Sequence, residues 1–209
     1  MLTERLIAAT LILVLALAAC GEAGGQEELP WSDDFSDPTT GWQAESDSSA
    51  EVGYHDGVMR VLIKSPNRLA WASAGLNLSD LHLAVEATQV AGPDDNDYGV
   101  LVRMKDPGHF YLFSISGDGY YQVSRYGDDG RVALNGDWTP SEAIRQGTST
   151  NVLEVICQGE RMTFIVNGEQ LAQVEDGSYS QGDIGLYAGS FFDPGVEIHF
   201  DNLRVEEPE

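Results

Sequence analysis

The chain predicts an all-β protein, an antiparallel sandwich that begins near Pro30. Three observations carry that expectation. Short runs rich in Val, Ile, Tyr and Phe follow one another at a regular spacing, about twelve to fourteen of them, as in two-layer antiparallel folds. Gly, Asp, Asn and Pro punctuate the runs, and the 209 residues include 23 Gly. Finally, apolar and polar residues alternate within runs: Leu81, Leu83, Val85 and Ala87 interleave with His82, Ala84, Glu86 and Thr88, the period-2 signature of a half-buried strand.

The elements follow in order. After His55-Asp56-Gly57 comes a strand over 58–63. The runs 98–105 and 110–116 flank Asp106-Pro107-Gly108-His109. Gly117-Asp118-Gly119 precedes 120–126, and Asp128-Asp129-Gly130 precedes 131–134. Later runs are 151–158, 162–166, 169–174, 183–188 and 196–205. Asn167-Gly168 between two of them is the strongest short hairpin signal available. One short helix is expected from Pro140 to Arg145, with Thr139 as its cap. Trp42 is assigned to the core.

Residues 1–19 are excluded from the domain as a targeting segment. A short polar start containing Arg5 is followed by an apolar run over 6–19, broken only by Thr10. As a helix that run is roughly 21 Å long, short of the roughly 30 Å hydrocarbon core, so a secretion signal is the better reading. Leu17-Ala18-Ala19-Cys20 resembles the bacterial lipoprotein box. The resemblance implies that Cys20 is acylated and becomes the first mature residue, held by more than one acyl chain. Residues 20–29, Gly- and Glu-rich beyond Cys20, read as an acidic tether, and residues 30–209 as a single domain. The expected setting is extracytoplasmic, on a bacterial membrane. The other cysteine, Cys157, stands in VLEVIC and reads as a small buried hydrophobe.

Charge removes whole classes of partner. With 34 acidic and 11 basic residues the formal charge is −23. The targeting segment holds one acid, Glu4, and one base, Arg5, so its removal changes nothing. Nucleic acid, whose binding needs phosphate neutralisation, is excluded. Polyanionic glycans and a polybasic membrane patch are disfavoured too; neutral ligands, cations and basic surfaces stay open.

Several segments together resemble a known family. They are Asp33-Asp34-Phe35-Ser36-Asp37-Pro38 with Gly41-Trp42; the runs DYGVLVR and FYLFSIS; MTFIVNG; GDIGL; and FDNLRV, which ends at Val205. This pattern looks like the concanavalin A-like lectin/glucanase jelly roll, nearest to laminin-G-like domains and 3-keto-disaccharide hydrolase domains. The resemblance implies two curved sheets face to face, a sugar groove on one of them, and paired terminal strands. It also implies a choice of functions, since the fold hosts lectins, glycosidases and adhesion modules.

The residues weigh against glucanase chemistry. Glycoside hydrolysis wants two carboxylates flanking one bond, and glucanases of this fold carry Glu-x-Asp-x-x-Glu on one strand. That run is absent, and His55, His82, His109 and His199 are scattered. For a structural Ca²⁺, the candidate ligands are Asp34 and Asp201, brought near by the paired termini; Asp94-Asp95-Asn96-Asp97 reads as a second oxygen-rich loop. For a sugar, alternation puts Val100, Val102, Tyr121 and Val123 in the core, and Arg103, Tyr120, Gln122 and Tyr126 on the opposite face, with Trp71 and Trp138 at its rim. The leading expectation is a monomeric recognition module for neutral carbohydrate without catalysis. A keto-disaccharide-type hydrolase, or an adhesion domain for an envelope protein, are the alternatives.

Overall fold

A computed structural model describes residues 29–209. Within them the chain forms sixteen strands: β1 (Trp31–Asp33), β2 (Gln43–Ala44), β3 (Ala50–His55), β4 (Val58–Ile63), β5 (Arg68–Ser73), β6 (Leu81–Ala91), β7 (Asn96–Asp106), β8 (His109–Ile115), β9 (Tyr120–Gly127), β10 (Gly130–Ala133), β11 (Thr139–Pro140), β12 (Thr150–Gln158), β13 (Arg161–Val166), β14 (Glu169–Glu175), β15 (Asp183–Ser190) and β16 (Val196–Glu206).

These strands make two antiparallel sheets of eight. The first runs β14-β13-β12-β6-β16-β4-β3, with β1 also on β16. The second runs β10-β9-β8-β7-β15-β5-β2, with β11 on β9. All-β jelly-roll architecture is therefore the observed fold. The terminal strands pair as expected, Asp33 standing opposite Leu203.

Local chemistry sets the turns. In the β3–β4 hairpin Asp56 and Gly57 take φ of +50° and +83°, and in the β13–β14 hairpin Asn167 and Gly168 take +52° and +82°. Two successive left-handed residues give the turn whose twist matches that of the flanking strands, and Asn, Asp and Gly tolerate it best. The core lies between the sheets. Along β6 burial alternates residue by residue, placing Leu81, Leu83, Val85 and Ala87 inside. Phe113 from the second sheet meets Phe164 from the first, ring centroids 5.6 Å apart. Each such side chain contributes about 1.5–3 kcal/mol through burial.

Two local expectations are corrected. No helix forms at 140–145: Thr139 and Pro140 pair with Tyr121 and Tyr120 as β11, and a single turn follows, with Ile144 N–H donating to Ser141 O at 3.3 Å. Sheet pairing and burial of Ile144 outweigh the Thr-Pro start signal. The strands also exceed the expected number: β1, β2 and β11 are only two or three residues long, β3 carries Gly53 and β5 two alanines.

Trp42 is in the core as expected, its Nε1 donating to Asp33 Oδ2 at 3.0 Å. Cys157 is fully buried, and burial pushes its thiol pKa up to about 12. Cys20 and the expected targeting segment lie outside the described residues.

Candidate functional site: the open face of the second sheet

One face of the second sheet points away from the core. Cross-strand register identifies its side chains. Trp71 on β5 lies opposite Tyr187 on β15, which lies opposite Gly99 on β7; Gly99 is opposite Ser114 on β8, and Ser114 opposite Gln122 on β9. Five strands at about 4.8 Å spacing make this row roughly 19 Å long. An aromatic line crosses beside it: Trp71 to Phe110 at 6.0 Å, then Phe110 stacked on Tyr126 at 4.9 Å. Leu101, Phe110, Leu112 and Tyr187 form a second apolar cluster beneath, separate from the main core.

A cleft of about 520 Å³ opens over Trp71. Gln43, Glu45, Arg68 and Ser73 line one side, and the β7–β8 hairpin from Met104 to Pro107 lines the other. Three described carboxylates reach it. Asp183 accepts backbone N–H bonds from Gly75, Leu76 and Ile184 at 2.8–3.0 Å, and burial raises its pKa nonetheless. Asp106 holds its own hairpin, accepting from Gly108 N–H at 2.8 Å and facing His109 Nδ1 at 2.8 Å. Glu45 is the remaining one.

Under the middle of the face sits a buried ion pair. Arg131 donates to Asp97 Oδ2 at 2.9 Å and to Ser124 Oγ at 3.0 Å. Asp97 is 3% exposed. Burial raises its pKa, against the pull of Arg131. Gly189 makes room for it, since a Cβ there would stand 2.1 Å from Asp97 Oδ1. Ser114 hydrogen-bonds the Tyr187 hydroxyl, and burial pushes that phenol far above its ordinary pKa. The guanidinium of Arg131 lies over the Trp138 ring, 5.6 Å from its centroid.

The sequence-predicted residues fall into four groups. Trp71 and Tyr126 come together through Phe110. Tyr120, 38% exposed, meets Trp138 in a smaller hollow at the other end of the face. Gln122 is on the face but buried, its amide donating to Gly136 O at 3.1 Å. Arg103 is the correction: it is 1% exposed and does not reach the face. A β-bulge shifts the register between Val102 and Asp106, and Arg103 takes φ of +52°. Its guanidinium donates instead to Ser79 O, Tyr179 O and Asp80 Oδ1, at 3.0–3.3 Å. The face does hold an arginine, Arg131, but no sequence pattern links it to Asp97, 34 positions away.

The two Ca²⁺ candidates each bond to a neighbour in the chain. Asp34 accepts from Ser36 Oγ at 2.6 Å and Ser36 N–H at 3.1 Å, bonds that lower its pKa. Asp201 accepts from Asn202 N–H at 2.7 Å. Among the described residues no group of three or more His, Cys, Asp or Glu side chains could hold a metal ion. The loop 94–97 is not simply solvated either. Asn96 is buried, donating to Gln89 Oε1 and Pro93 O and accepting from Gly117 N–H.

No protein-family model and no curated protein matches the chain. Solved structures do, at low identity. A β-glucanase from Bacillus licheniformis superposes with a TM-score of 0.67 at 13% identity, over 88% of this chain and 100% of that one. The carbohydrate binding module CBM66 from Bacillus subtilis gives 0.64 at 15%, over 80% and 96%. The catalytic domain of a laminarinase from Thermotoga petrophila gives 0.61 at 10%, over 87% and 98%. The chain shares the fold of all three, a jelly roll that serves both binding modules and hydrolases.

Proposed function

We propose that the protein is a lipid-anchored extracytoplasmic module that binds neutral carbohydrate on the open face of its second sheet without hydrolysing it. The observation that carries this reading is the aromatic line Trp71–Phe110–Tyr126 beside a polar-rimmed cleft. Sugar rings present apolar faces and hydroxyl edges, and the Trp71 ring among a few fixed polar groups suits both. Binding modules and glucanases among the structural neighbours make a glycan ligand the natural first test. The carboxylates favour binding over hydrolysis. Two of the three in the cleft are spent on the local backbone and a histidine, leaving Glu45 without the second free acid that glycoside cleavage generally needs. Anchoring at Cys20 rests on the lipoprotein-like box in the sequence.

The test is a glycan array on the domain from residue 29, run with Ca²⁺ and with chelator, together with a reducing-end assay on every binder. The expected result is a neutral oligosaccharide bound equally in both conditions, not cleaved, and bound at least roughly tenfold more weakly by Trp71→Ala. Cleavage of the bound glycan would replace this reading with the hydrolase one. Mass spectrometry of the membrane-extracted protein checks for acyl chains on Cys20.

A further inference from the structure

At the opposite end of the open face from Trp71 lies a second hollow of about 230 Å³, lined by Asp95, Asn96, Ser116, Asp118, Tyr120, Trp138 and Phe191. We propose that it is a binding site for an organic ammonium group, a protonated or methylated amine.

Its walls are aromatic. Trp138 and Phe191 meet almost at a right angle, 87°, with centroids 6.2 Å apart, and Tyr120 stands exposed beside them. The face of an aromatic ring is electron-rich and attracts a cation within about 6 Å, most strongly for Trp. Trp138 already displays this chemistry, since Arg131 sits over its ring.

The acids supply the second half of the argument. Asp95 and Asp118 are both exposed at the hollow. Asp118 Oδ1 accepts from the Ser116 hydroxyl, while its other carboxylate oxygen has no bond among the described residues. The nearby guanidinium, Arg131, gives its charge to Asp97. A hollow walled by aromatic rings, with two carboxylates lacking a cationic partner, is complementary to a positive apolar group.

The floor points the same way. Asn96 and Ser116 are buried, and their polar atoms are committed to Gln89, Pro93, Gly117 and Asp118. Few donors remain to read sugar hydroxyls, so recognition here falls to ring faces and charge. The net charge of −23 adds a long-range attraction for cations. This site does not rest on the glycan reading of the Trp71 cleft.

The experiment uses the chain from residue 20 with Cys20→Ala. Choline is titrated by calorimetry at fixed ionic strength, beside its uncharged isostere 3,3-dimethylbutanol. Choline is expected to bind and the isostere to bind at least roughly tenfold more weakly, equivalent to about 1.4 kcal/mol. Tyr120→Ala and the pair Asp95→Asn/Asp118→Asn should each weaken choline by a similar factor. All three positions are exposed, so far-UV circular dichroism and the unfolding midpoint should be unchanged. Trp71→Ala should leave choline binding intact, which separates failure of this site from failure of the glycan cleft. A glucosamine disaccharide that displaces choline, while its N-acetylated form does not, assigns the amine to an amino sugar; choline alone binding assigns it to a small quaternary ammonium. Equal affinity for choline and the isostere, or no binding of choline or the glucosamine disaccharide, overturns the proposal.

Discussion

Replacing Arg131 by Met should destabilise the fold by about 3 kcal/mol at pH 7. The substitution keeps a long apolar stem but leaves Asp97 without its cation. Asp97 is 3% exposed, and removing one partner of a buried ion pair costs about 3–5 kcal/mol because the other charge is left uncompensated. The lower end applies here, since the Arg131 side chain is itself 22% exposed. For a domain of this size that corresponds to a fall in Tm of about 6–12 °C, readable by circular dichroism. The pH dependence carries the mechanism. Burial raises the folded-state pKa of Asp97 above its ordinary value, and Arg131 opposes that rise. A raised carboxyl pKa means the folded state binds the proton more tightly. The resulting stability is fully present below the unfolded pKa of about 3.9 and is lost as pH climbs through the folded value. Without Arg131 the folded pKa climbs further, so the variant loses more of its stability between pH 4 and pH 7 than the parent does. The gap between the two should narrow toward pH 4, and Asp97→Asn in the Arg131→Met background should recover part of the loss at pH 7. A loss under about 1 kcal/mol at pH 7, or an equal loss at both pH values, would refute the buried-pair reasoning.

Two further outcomes separate structural from ligand-facing residues. Arg103→Met should lower stability by about 2–4 kcal/mol, because two backbone carbonyls and Asp80 lose their donor, while glycan affinity of the folded fraction stays at the parental value in calorimetry. The Cys157 thiol, held by burial at a pKa of about 12, should resist a disulfide reagent such as DTNB in the native state and react stoichiometrically after denaturation.

Fold class was legible in the sequence because turn chemistry and alternation are local. Asp56-Gly57 and Asn167-Gly168 announce left-handed turns, and the residues of β6 alternate without a break. The open face was legible where alternation holds, which is why Tyr120, Gln122 and Tyr126 share it. It failed one bulge later. The register slip between Val102 and Asp106 turns Arg103 away from the face, and nothing in VRMKD marks it. The helix expected at Pro140 failed for a related reason: a two-residue bridge to Tyr120 and Tyr121 depends on a partner some twenty residues away. The Asp97–Arg131 pair was illegible too, because the register of four strands, β7 to β10, brings its members together.

The position of β16 bears on timing. The last strand of the sequence lies inside the first sheet, between β6 and β4. Until residues 196–206 arrive, that sheet exists as two separate ribbons, each with a bare hydrogen-bonding edge and no neighbour to cover it. Such edges recruit other chains, and pairings this distant close slowly. A nascent chain therefore cannot close its first sheet before residues 196–206 have been made. Any cut before Val196 adds two open edges, on β6 and β4, to the two the sheet already has on β14 and β3.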